Sequence, residues 1–136
     1  MRKKGIIILV VVAISFLSWQ IFIPKYEYHH YKIDGCQDGD FTVVVYSKIG
    51  ERGLMLAKGI QNDMPANNYI IDREFSGFDA YFDVVATCEK GQIVINYHAG
   101  YFDPKHTSSE IIPKRVDYDT YDSLKSSDKA KHIYLN

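Results

Sequence analysis

Residues 81–99 read YFDVVATCEKGQIVINYHA, and no other stretch of the chain constrains the architecture so tightly. Phe82, Val84, Ala86 and Cys88 alternate with Asp83, Val85 and Thr87; beyond Glu89-Lys90-Gly91, Ile93, Ile95, Tyr97 and Ala99 alternate with Gln92, Val94, Asn96 and His98. A period of two on both sides of a Gly-containing turn is the signature of a β-hairpin. Matching the faces sets the register. With Lys90-Gly91 as a two-residue loop, Cys88 meets Ile93, Ala86 meets Ile95, Val84 meets Tyr97 and Phe82 meets Ala99. Slipping by one residue would set Val84 opposite Asn96 and Cys88 opposite Gln92, which scatters the apolar face. The other face then pairs Asp83 with His98 and Val85 with Asn96.

Upstream, FTVVVYS (residues 41–47) is a β-branched run whose continuity implies burial on both faces. Shorter strands are expected over residues 26–33, 54–60 and 69–75, with a turn at 50–53, a loop at 62–68 and a break at Ser76-Gly77. Downstream, Pro104, Pro113 and the Thr107-Ser108-Ser109 cluster give residues 101–131 the character of a long polar, exposed segment. One or two helical turns are expected around residues 120–126, and residues 132–135 return as an edge strand. Short strands at roughly ten-residue spacing predict a mainly β fold, an antiparallel β-sandwich or a β-rich α+β domain.

The N-terminus differs in kind. Arg2, Lys3 and Lys4 precede an uncharged apolar stretch, residues 5–23, which as a helix spans roughly 28 Å and matches a bilayer core. Trp19 suits the headgroup region and Pro24 ends the helix. Cleavage as a signal peptide would need small residues such as Ala13 and Ser15, and would leave the apolar residues 16–23 on the product. The chain is therefore expected to keep a signal anchor at 5–23, with a cytoplasmic basic tail at 1–4 and an exported domain, periplasmic or extracellular, at 25–136. Cys36 lies too far past the apolar run for a lipoprotein.

The exported part keeps 13 of the 16 basic and all 17 acidic residues, a net charge of −4, so nucleic acid is not an expected partner. Both cysteines, Cys36 and Cys88, lie there, and an oxidising compartment predicts a disulfide between them.

Chemical motifs are sparse, and no cofactor is implied. Asp83 opposite His98 has one ingredient of a general base, yet there is no Gly-x-Ser-x-Gly elbow or Ser-x-x-Lys, and a plain cross-strand polar pair explains it as well. His29 and His30 point to opposite faces of a strand and cannot jointly chelate. Asp34, Asp38 and Asp40 crowd a Gly-containing loop that lacks EF-hand spacing, so a solvated turn is preferred over a calcium site. The positive sign is eleven tyrosines. Tyr101, Tyr118 and Tyr121, interleaved with Asp103, Asp117, Asp119 and Asp122, form the expected contact surface for a protein partner of basic character. The function read from this layout is a membrane-anchored binding domain of inhibitor or immunity type. The alternatives are a small exported hydrolase using His98 and Asp83, and an accessory subunit of a membrane complex.

Overall fold

The computed structural model describes residues 2–75 and 80–136, with side chains from Gly5 onward, so the expected break at Ser76-Gly77 lies outside the described residues. Helix α1 (Arg2–Phe22) contains an 18-residue window, Gly5–Phe22, of mean hydropathy 2.4, none of it buried against the rest of the chain. It is long and apolar enough to enter a bilayer. Pro24 has no N–H to continue it, and strand β1 (Lys25–Lys32) begins at the next residue.

Strands β1, β2 (Asp40–Lys48), β3 (Glu51–Lys58) and β4 (Tyr69–Asp72) form an antiparallel meander in chain order. The β2–β3 turn falls on Ile49-Gly50 rather than on residues 50–53, and β4 is shorter than the expected 69–75. Gly53 is drawn into β3 because it lies opposite Tyr46, whose ring covers the glycine so closely that a Cβ would overlap it. The middle of β2 is closed on both faces, as its continuous apolar run implies. Phe41, Val43 and Val45 enter the main core, while Thr42 on the reverse face donates to the Gly59 carbonyl at 2.8 Å and accepts from the Gln61 N–H at 2.9 Å.

The second sheet has the order β7-β6-β5-β8, from β5 (Phe82–Glu89), β6 (Gln92–Tyr97), β7 (Ile111–Arg115) and β8 (Lys131–Leu135). The hairpin has the expected register at Cys88 with Ile93, Ala86 with Ile95 and Val85 with Asn96. Lys90 (φ 54°) and Gly91 (φ 82°) are both left-handed, as a tight two-residue hairpin turn requires. The ladder ends there. The expected pairs Val84–Tyr97 and Phe82–Ala99 do not form; on the opposite edge of β5, Val84 pairs with Ile133 and Phe82 with Leu135 of β8.

Residues 101–131 are not one long loop. They contain β7, which runs parallel to β6, and helix α2 (Tyr118–Lys125), close to the expected helical turns. Pro113 is tolerated because β7 is an edge strand. The connection from β6 to β7 first crosses to the other sheet, where Arg73 N–H donates to the Tyr101 carbonyl (3.2 Å) and Asp103 N–H to the Ile71 carbonyl (2.8 Å) along β4.

One hydrophobic cluster joins the sheets: Phe41, Val43, Leu54, Leu56 and Ile70 from the first, and Phe82, Val84, Ala86, Ile93, Ile95, Ile111 and Ile133 from the second. The disulfide Cys36–Cys88 (Cα–Cα 5.6 Å) fastens the β1–β2 loop to the end of β5 and so ties sheet to sheet. An apolar N-terminal helix ahead of a disulfide-bonded β domain fits an exported protein.

Candidate functional site

Where the β5–β6 ladder stops, the chain opens. Residues 98–100 bend away from the sheet, with Gly100 at φ 80°, while the Tyr97 carbonyl turns to the Val116 N–H at 2.9 Å. The gap left between β5 and the bend is a cleft of about 220 Å³, lined by Asp72, Glu74, Asp83 and His98 among apolar and aromatic groups that include Tyr81, Tyr97 and Tyr101. No serine, threonine or cysteine is among the described residues that line it.

Asp83 and His98 therefore share a cleft without bonding to each other, which corrects the cross-strand pair expected from sequence. Asp83 has other partners. Its Oδ1 accepts from the Tyr121 hydroxyl at 2.5 Å and lies 2.7 Å from His132 Nε2. Burial alone would raise the Asp83 pKa. The hydrogen bonds from Tyr121 and His132, with the electrostatic pull of His132 and Lys125, outweigh it and hold the carboxyl below its ordinary range. Tyr121 is shifted the opposite way, by burial first and then by the Asp83 carboxylate, so its hydroxyl stays protonated and donating. Asp72, on the other wall, is raised chiefly by burial, with the charge of Glu74 adding, against hydrogen bonds from the backbone N–H groups of Glu74 and Phe75.

His98 packs edge-on against the Tyr121 ring (4.4 Å between centroids) and the Tyr118 ring (5.4 Å). The helix that brings both tyrosines starts at Asp117, whose carboxylate caps it by accepting from the Thr120 N–H and hydroxyl, each at 2.8 Å. Tyr121 is only 2% exposed, so it anchors α2 to the sheet and presents no contact surface. Tyr118, 65% exposed, and Tyr101, 44% exposed, remain at the surface with Asp119 and Asp122. Asp103 turns inward on its own loop, bonding the Lys105 N–H at 2.9 Å and His106 at 3.3 Å. Sequence reasoning missed Tyr81, just before β5, and Tyr134 of β8, exposed rings stacked 6.0 Å apart beside the cleft.

Asp34, Asp38 and Asp40 do not converge: among the described residues no three His, Cys, Asp or Glu side chains are grouped to hold a metal ion. His29 approaches Glu27 at 3.6 Å and His30 bonds Thr42 at 3.0 Å, on separate faces of β1.

Comparison with known protein families, curated proteins and solved structures finds no match to this chain.

Proposed function

We propose that this chain is a membrane-anchored, exported binding module that captures a protein at the outer face of a membrane, in the manner of an inhibitor or immunity protein. In this reading α1 is the anchor, residues 1–4 lie in the cytoplasm and residues 25–136 lie outside. The observation that carries the reading is an acidic cleft with exposed tyrosines around it. Aromatic rings with a polar tip supply contact area at small entropic cost, and they attract cations over their faces. Asp72, Glu74 and Asp83 in the cleft and Asp119 and Asp122 on α2 favour a partner that presents lysine or arginine.

The hydrolase alternative lacks a bond from Asp83 to His98, and no serine, threonine or cysteine is among the described residues lining the cleft beside them. Crosslinking from the native membrane, followed by identification of the attached protein, tests the proposal. Tyr118→Ala with Asp119→Lys and Asp122→Lys should abolish the crosslink while circular dichroism stays unchanged. Asp117 is left intact because its charge caps the helix. An undiminished crosslink in the triple variant overturns this surface. A crosslink lost only when α1 is exchanged for another spanning helix favours the accessory-subunit role.

A further inference from the structure

The joint between α1 and the β domain is two residues long, Ile23 and Pro24, so the first residues of β1 sit at the end of the helix. Register carries this position across the sheet. Lys25 pairs with Ser47 of β2, and Lys48 with Glu51 of β3, which places the Ile49-Gly50 turn level with the helix end. A groove there is lined jointly by Leu17, Ile21 and Ile23 of the helix end and by Lys48, Ile49 and Gly50 of the turn. Ile49 tips this turn and is 62% exposed.

We propose that the β2–β3 turn is a second membrane contact: Ile49 enters the headgroup region of the leaflet from which α1 emerges, and Lys25 lies at phosphate level. The inference rests on the reading of α1 as a bilayer-inserted anchor. Its occupant is the bilayer surface, because the turn continues the apolar surface of a helix able to cross a membrane. The charge agrees. Glu51 pairs with Lys48 and Arg52 is turned to the Asn136 carbonyl at 2.7 Å, which leaves Lys25 to meet the headgroups. Long basic side chains beside an inserted apolar group extend to the phosphates while their stems stay in the interface. Two such points of attachment, the helix and the turn, fix the tilt of the sandwich over the lipid.

The chain provides its own control. Ile60 is 64% exposed, just beyond the opposite end of β3, where Lys58 pairs with Phe41. Trp19 is the sole tryptophan and reports the helix directly. The full chain is reconstituted in phosphatidylethanolamine–phosphatidylglycerol vesicles as the parent, as Trp19→Phe with Ile49→Trp, and as Trp19→Phe with Ile60→Trp. Tryptophan emission is then read with lipids brominated high on the acyl chain and with aqueous iodide. The expected result is blue-shifted, bromolipid-quenched emission from position 49 and iodide-quenched emission from position 60. Should position 49 behave like position 60 while Trp19 is quenched by bromolipid, the second contact is refuted and the anchor stands. If Trp19 itself escapes the bromolipid, the anchor fails and the turn contact with it.

Discussion

The two sheets have four strands each and share one core, yet the chain builds them differently. In the first, every strand pairs antiparallel with its neighbour in sequence. In the second, only the β5–β6 hairpin is local; β8 arrives from the C-terminus to complete one edge and β7 joins the other in parallel. The cleft lies at the irregular sheet's β5–β6 hairpin, where the ladder stops at Val85 and Asn96 and residues 98–100 bend away, while β5 goes on pairing with β8 along its other edge. The meander makes a wall, and the sheet assembled from distant segments makes a site.

The comparison can be broken first at the bond that joins the two sheets. Replacing Cys36 and Cys88 with serine, which removes a tie spanning 52 residues, should cost about 4 kcal/mol in the chain-entropy account. Urea unfolding with matched slopes checks this, and both sheets should lose amide protection together because they share one core. A smaller and one-sided effect is expected at Asp83. Asp83→Asn weakens the bonds that dock α2 and β8, at a cost of about 1–3 kcal/mol. Hydrogen exchange should quicken in α2 and β8 before it does in the first sheet.

The pH dependence of that cost has a definite sign. The Asp83 carboxyl titrates lower in the folded chain than in the unfolded one, so its stabilisation is complete above the unfolded value of about 4 and is lost as pH falls through the folded value. Parent and Asp83→Asn melting temperatures should therefore differ at neutral pH and converge in acid. The smallest effect belongs to the helix cap: Asp117→Ala should slightly lower the urea midpoint with the first sheet still protected.

Local pattern made the hairpin legible. Alternation around Lys90-Gly91 defined its register up to Val85 and Asn96, and the β-branched run of β2 announced a strand closed on both sides. What sequence could not supply was partners far along the chain. Nothing near Asp83 indicates that His132 and Tyr121 will bond it in place of His98. Tyr121 looked like a surface ring because its neighbours Thr120, Asp122 and Ser123 are polar; only the docking of α2 removes it from water. Strand β7 was hidden for a related reason. Pro113, Lys114 and Arg115 read as loop, and an edge strand that pairs on one side alone tolerates such residues.

The two-residue joint at Ile23 and Pro24 also limits reach. An eight-residue strand is roughly 27 Å long, and a tether this short adds almost nothing to it. With α1 embedded, the domain cannot search the surrounding volume as a flexibly tethered receptor does. If the domain binds as proposed, its reach is confined to a thin layer above the lipid, and its partners would be molecules arriving at, or resident in, that layer.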